Sequence, residues 1–334
     1  MRAVVLVGGF GTRLRPLTNQ IPKPMLPIGH RPMIERLVNR LGRGGVTEVV
    51  LALGFKPEPF LAAFPDGRCG DVKLSYAVEP APLDTGGAIK FAANEAGIDA
   101  TFVVANGDVL TDLDVGELIA THRRHEAQAT LHLTGVEDPS AFGVVALGEG
   151  DRITDFVEKP ALGSEPSNLI NAGTYVFEPS VLDLIPSDER VSIERSTFPL
   201  LVEAGRLYGH ATQDYWIDAG RPDLYRAANL DLLVGGRVND YCEAVSRTAT
   251  VDAAAIILNS IIGDHAVVAP GARIVDSVLL PGAQVGSAAT VEASLVMGRV
   301  GEGARVDASM VGAAGVVADG AVLTAGTVPE VPAS

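Results

Sequence analysis

Apolar positions along this chain follow two different rhythms. From residue 1 to about residue 232, short apolar runs alternate with amphipathic stretches. Ala3–Val7, Val49–Leu53, Leu74–Val78 and Thr101–Val104 are near-continuous apolar runs that predict buried strands. Met33–Leu41, Gly87–Asn94 and Val115–His125 predict helices, and Leu131–Glu137, Gly143–Leu147 and Thr174–Phe177 predict later strands. Strands alternating with helices predict an α/β domain with a mostly parallel sheet. In such sheets ligands sit beyond the carboxyl ends of the strands.

From Ile262 the rhythm changes to one aliphatic residue in every six: Ile262, Val268, Ile274; Val285, Val291; Val300, Val306; Val316, Val322. Small turn sets accompany them, such as Pro270-Gly271-Ala272, Pro281-Gly282-Ala283 and Asp319-Gly320-Ala321. A hexad of this kind is the signature of a parallel β-helix, with each aliphatic residue facing the interior of a triangular prism. The phase slips between Ile274 and Val285 and between Val291 and Val300, so some coils must be irregular. The expected organisation is a first domain over residues 1–233, a linker over 234–250 that contains Gly235-Gly236, and a β-helix over 251–330.

A length of 334 residues suits about two domains. With 47% hydrophobic and 20% charged residues, the composition is that of a globular protein rather than a disordered tail. The net charge of −15 argues against a general nucleic-acid binder but not against a nucleotide substrate, because a local cationic pocket can sit in an acidic protein. The two cysteines, Cys69 and Cys242, form neither a metal-binding spacing nor a disulfide framework, which fits a reducing cytoplasm. No signal peptide is read at the N-terminus, and no apolar run is long enough to cross a bilayer, so no membrane partner is expected.

The candidate chemistry begins where the first predicted strand breaks, at Gly8-Gly9, and continues through Gly11-Thr12-Arg13 to Lys23. Glycines let backbone N–H groups approach an anion closely. Arg13 adds a planar fork for phosphate oxygens, and Lys23 adds a point charge held between Pro22 and Pro24. The loop is neither a Walker A motif nor a GxGxxG fingerprint, and a lone GxG would be an ordinary turn. Asp108, after a predicted strand, and Asp218 are two carboxylates suited to a hard cation that also binds substrate phosphates. Glu158-Lys159 pairs an acceptor with a cation, as a sugar phosphate requires, although such a pair is also common on surfaces. Asn171-Ala172-Gly173 offers an amide beside a close backbone approach, or only a turn.

Taken together, GGFGTRLRPLT, IPKPMLP, NGDV, FVEKP, INAG, SIERSTFP and YWIDAG resemble the sugar-1-phosphate nucleotidyltransferases, the NDP-sugar pyrophosphorylases, as far as about Leu233. Within that family they are most similar to the mannose-1-phosphate guanylyltransferase branch. The resemblance implies a Rossmann-like catalytic domain followed by a left-handed parallel β-helix. It assigns the nucleotide to Leu6, Gly8, Gly9, Gly11, Thr12, Arg13, Lys23, Glu79, Asp84, Thr85 and Gly86, with Arg13 and Lys23 catalytic. Asn106, Gly107, Gly143, Glu158, Lys159 and Asn171 would hold the sugar phosphate, and Asp108 and Asp218 would coordinate Mg2+. In SIERSTFP, Ser192 reads as a helix N-cap and Phe198 as packing.

The implied reaction is a single in-line displacement. A phosphate oxygen of the sugar 1-phosphate attacks the α-phosphorus of an NTP, and pyrophosphate leaves. The base would be read by the segment Glu79–Ala88. A carboxylate at position 79 only accepts hydrogen bonds, which suits the donors of guanine and hence GTP. Relatives commonly carry glycine where this chain has Asp84, so the base and the sugar stay open. The alternatives are glucose 1-phosphate or a related sugar or cyclitol phosphate, with GTP, dTTP, UTP or ATP. A non-catalytic NDP-sugar-binding regulator is a reading of another class, and the presence of Arg13, Lys23, Asp108 and Asp218 weighs against it. An acyltransferase in the β-helix would need a histidine, and His265 is the single one there. The β-helix is expected to serve assembly into a homodimer or homotetramer, with its open edges covered by a neighbour.

Overall fold

The first strand, Arg2–Leu6, lies inside a ten-stranded sheet, with Ala3, Val4 and Val5 fully buried. That burial on both faces is why its sequence is a continuous apolar run rather than an alternating one. The structure is a computed structural model that describes residues 1–9, 11–54, 57–187, 189–233 and 240–330. The chain forms two units that interleave in sequence: residues 1–9 with 34–216, and residues 10–33 with 217–334.

In the first unit, the sheet runs in the order Ile153–Glu158, Gly143–Leu147, Leu169–Phe177, Phe102–Asn106, Arg2–Leu6, Glu48–Leu53, Val72–Val78, Arg68–Cys69. Ala129–Gly135 pairs with Leu169–Phe177, and Leu207–Thr212 pairs with Ala129–Gly135. The sheet is mixed. Around Arg2–Leu6 the strands Glu48–Leu53, Phe102–Asn106 and Val72–Val78 are parallel, as the strand–helix alternation predicts. Leu169–Phe177 runs antiparallel to Phe102–Asn106 and begins the mainly antiparallel half, in which Leu207–Thr212 alone among the described pairings is parallel, to Ala129–Gly135. Register places Leu6 opposite Asn106 and Ala52, so the carboxyl ends of the parallel strands align.

The predicted helices are present as Met33–Arg43, Asp84–Glu95 and Val115–Arg124. The last is capped by Asp114, whose carboxylate accepts from Gly116 N and Glu117 N. Phe198 is fully buried and meets Phe156, Tyr175 and Phe177 with ring centroids 5.2–6.2 Å apart. Ser192 caps a π-turn over Ile193–Thr197 by accepting from Arg195 N. The packing and capping roles read from the sequence are therefore the observed ones.

In the second unit, Gly29 N donates to Asn229 Oδ1 at 2.8 Å and the Tyr225 hydroxyl donates to Pro27 O. The helix Pro222–Leu230 is thus fastened to the segment that carries Lys23. The β-helix is left-handed and parallel, built from three five-stranded sheets that begin at Thr250–Val251, Ile256–Leu258 and Ile261–Ile262. Residues 234–239 of the expected linker lie outside the described residues, and Val245 already bridges Ile262.

The pairs Thr250–Val267, Val267–Gln284, Gln284–Arg299 and Arg299–Val316 define coils of 17, 17, 15 and 17 residues. This accounts for the phase slips, because one face of each coil is five residues long rather than six, and the 15-residue coil has a further face of four, from Val296 to Val300. Leu279, Val296 and Val311 occupy the interior positions that a strict hexad skips. It also corrects one expectation. Val316 and Val322 point outward, 60% and 71% exposed, while Val317 and Leu323 face the interior. Both pairs have six-residue spacing, so spacing alone does not choose between them.

One corner of the prism is a column of serines. Ser277 N donates to Ser260 Oγ, Ser294 N to Ser277 Oγ and Ser309 N to Ser294 Oγ, each at 3.0 Å. No helix among the described residues is long and apolar enough to cross a membrane.

Candidate active site

Gly8 and Gly9 follow directly from the buried strand, and Gly107 N donates to Leu6 O at 2.8 Å. The turn carrying Asn106, Gly107 and Asp108 is thereby fixed against the start of the glycine loop. Glu79 follows the parallel strand Val72–Val78, two places along the sheet from Arg2–Leu6, and is only 8% exposed, with Oε1 directed toward Gly8. Its Oε2 accepts from Leu83 N at 3.0 Å. Burial pushes its carboxyl above the ordinary range, and the Leu83 N–H acts in the opposite direction. A buried acceptor thus lies beside the glycine loop within one unit.

Asp84 opens the helix Asp84–Glu95 with φ of 61°. Glycine adopts this left-handed conformation freely, and aspartate is one of the few other residues that tolerate it. Its carboxylate accepts from Thr85 N at 2.9 Å and lies 3.6 Å from Arg190 Nε. Gly86 N donates to Val191 O at 2.8 Å.

The residues assigned to the sugar phosphate are drawn together in the same unit. Gly143 pairs with Glu158 across adjacent strands, and Lys159 Nζ lies 3.3 Å from Glu158 Oε1. Asn171 Oδ1 accepts from Gly173 N, and Asn171 Nδ2 donates to the Tyr175 hydroxyl at 2.9 Å. Gly173 approaches Asn106 so closely that a Cβ would stand 2.7 Å from its Nδ2. Trp216 completes this wall: its indole N–H donates to Ala172 O at 2.9 Å, and its ring meets Phe142 edge-on at 5.6 Å.

The second unit holds the two cations of the N-terminal motif, Arg13 and Lys23. Thr18 Oγ1 donates to Gly11 O at 2.8 Å, and Thr12–Leu14 form a 3-10 turn that leaves the Thr12 and Arg13 side chains exposed. Lys23, between its two prolines, opens a further 3-10 turn, Lys23–Met25. Its ammonium is 3.6 Å from Asp218 Oδ1, and its side chain is only 11% exposed. Gly220 N donates to the same Asp218 oxygen at 2.9 Å, and a Cβ at Gly220 would stand 2.9 Å from Lys23 Nζ. Lys23 is therefore held in place, as its flanking prolines suggest.

Asp108 belongs to the first unit and Asp218 to the second, and each is by its chemistry a hard oxygen donor of the kind divalent cations take. The sequence reading missed Trp216, Thr18 and Gly220 as supports, although Trp216 and Gly220 stand in the YWIDAG string it used. It gave Glu194 no role, for nothing local marks this residue as bonded to Thr85.

Residues 2–234 match the family described as Nucleotidyl transferase, and residues 241–332 match the GMPPB C-terminal domain. The chain belongs to the nucleotidyl transferase family. It is similar to a mannose-1-phosphate guanylyltransferase of Mycobacterium tuberculosis, 39% identical over 301 residues that cover 87% of this chain and 82% of the relative. A mannose-1-phosphate guanyltransferase of Candida albicans is 37% identical over 328 residues, covering 92% and 89% of the two chains. Among solved structures, HddC from Yersinia pseudotuberculosis complexed with GMP-PN superimposes with a TM-score of 0.57 at 28% identity, covering 68% of this chain and 97% of that one. This nucleotidyltransferase thus has the reaction class that its motifs imply, and enzymes of this kind generally use a divalent metal.

Proposed function

We propose that this nucleotidyltransferase joins GTP and mannose 1-phosphate to give GDP-mannose and pyrophosphate. The observation that carries the choice of base is Glu79, a buried carboxylate with one oxygen directed at the glycine loop. Guanine offers N1–H and N2–H2 as adjacent donors, and an acceptor-only group matches them. The names of the Mycobacterium and Candida relatives support the same base and sugar.

In this reading Gly8, Gly9, Gly11, Thr12 and Arg13 hold the NTP phosphates. Lys23 neutralises charge that grows on the α-phosphate as the sugar-phosphate oxygen attacks in line. Glu158 and Asn171 take sugar hydroxyls, and Lys159 takes the sugar phosphate. Leu6, Thr85, Gly86, Asn106, Gly107 and Gly143 shape the walls. Mg2+ on Asp108 and Asp218 would neutralise phosphate charge. The chain is proposed to work in the cytoplasm as a homodimer or homotetramer. The β-helix supports assembly with Val316 and Val322 exposed at its final coil. Both cysteines are buried and form no disulfide, which suits a reducing compartment.

The deciding experiment is a pyrophosphate-release assay of GTP, ATP, UTP, CTP and dTTP against mannose, glucose and related 1-phosphates. GTP with mannose 1-phosphate is expected to give the highest kcat/KM. A different preferred pair would replace this reading, and NDP-sugar binding without turnover would make the chain a regulator.

A further inference from the structure

The base-reading segment is strapped to a distant piece of the first unit. One oxygen of Glu194, Oε2, accepts from both Thr85 Oγ1 and Ser192 Oγ at 2.7 Å. Thr85 Oγ1 in turn accepts from Ile193 N at 2.9 Å. The backbone adds to the fastening: Gly86 N and Gly87 N both donate to Val191 O, and Val191 N donates to Leu83 O at 2.9 Å. Leu83 N is the group that holds Glu79. A Cβ at Gly87 would stand 2.6 Å from Glu189 O, so the fit leaves no room for a side chain. At its far end the strap runs through the capped turn Ile193–Thr197 into Phe198 in the aromatic core.

We propose that Glu194 is a positioning residue for base selection: through Thr85 and Ser192 it fixes the segment that holds Glu79 without itself touching the nucleotide. The inference rests on the reading of Glu79 as the base acceptor. A charged acceptor shared by two hydroxyl groups bonds more strongly than a neutral one. Gly86 N and Gly87 N are spent on the strap instead of on a ligand, which keeps the Glu79 carboxylate at one distance from the glycine loop. Discrimination by hydrogen bonds depends on such placement, and misplacement by about 1 Å costs as much as a hundredfold.

The test compares the whole wild-type chain with Glu194→Ala, Glu194→Gln and Ser192→Ala. KM and kcat are measured for GTP, ATP, UTP and dTTP at saturating sugar phosphate, and for the sugar phosphate at saturating GTP. Urea unfolding is followed in parallel. Glu194→Ala is expected to raise the GTP KM about tenfold and to lower the preference for GTP by a similar factor, with the sugar-phosphate KM within about twofold. Glu194→Gln, whose amide oxygen still accepts from both hydroxyls, is expected to recover most of the preference. If both KM values rise together, or stability falls while base preference is kept, Glu194 only packs and the proposal is overturned. If Glu194→Ala does not fold, Ser192→Ala must still lower the GTP preference, and an unchanged preference there also overturns it. A wild type that turns over but prefers a base other than guanine overturns the reading of Glu79 instead.

Discussion

Ser277 in the β-helix and Ser192 in the sheet-bearing unit both fasten one stretch of chain to another through a side-chain oxygen. Ser277 Oγ donates to Val275 O at 2.7 Å and accepts from Ser294 N, and Ser294 and Ser309 repeat the same pattern one and two coils further on. Ser192 Oγ donates to a carboxylate that also reaches Thr85, 109 residues earlier in the chain. The first arrangement is made again by every coil, so its contribution accrues in increments between neighbours. The second is made once and sets the position of a loop. Similar chemistry thus serves stability in one region and site geometry in the other, and the two regions should fail differently when altered.

The largest expected effect is on turnover. Lys23→Ala should lower kcat by about a hundred- to a thousandfold, the usual cost of one preorganised charge-stabilising group. Any fall in the unfolding midpoint should be small beside that loss, because Asp218, left behind, is about a third exposed and keeps its bond from Gly220 N. Near-normal turnover with an unchanged KM would sink the proposed role of Lys23. Ser277→Ala should do the reverse. It leaves the buried Ser294 N–H without its acceptor and should cost about 1–3 kcal/mol in urea unfolding, with kcat and both KM values retained. Altered base preference in that variant would break the division between the two regions.

A third test uses His132, which is fully buried, with Nε2 bonded to Thr212 at 3.0 Å and no hydrogen-bond partner at Nδ1. Burial pushes its imidazole down to about 3, with His210 acting in the same direction. The folded state therefore resists a proton that the unfolded chain accepts near pH 6.5. Its stability contribution is full above that pH and is lost progressively as pH falls from about 6.5 toward 3. The loss should reach about 2 kcal/mol between pH 7.5 and pH 5, read from urea midpoints. His132→Gln should flatten the slope, and an unchanged slope would assign the acid sensitivity elsewhere. The smallest effect is at Asp84. Asp84→Gly should raise stability by about 0.5–1 kcal/mol by relieving a left-handed backbone, less what its lost bond to Thr85 N gives back. A destabilised variant would mean that the Arg190 and Thr85 contacts outweigh the strain.

The sequence by itself determined what is local. The strand leading into Gly8-Gly9, the cation between two prolines, the capped turn at Ser192 and the hexads of the β-helix are patterns of neighbouring residues, and each was legible without coordinates. Backbone sterics and periodic burial act over a few positions, so they leave marks at that range. Only the tertiary structure decided the antiparallel half of the sheet, the inward choice of Val317 over Val316, the seat of Lys23 beside Asp218, and the bond from Glu194 to Thr85. Spacing does not distinguish two overlapping hexads. A side-chain hydrogen bond between residues far apart in the chain exists only after packing has brought them together, so neither partner's neighbours announce it.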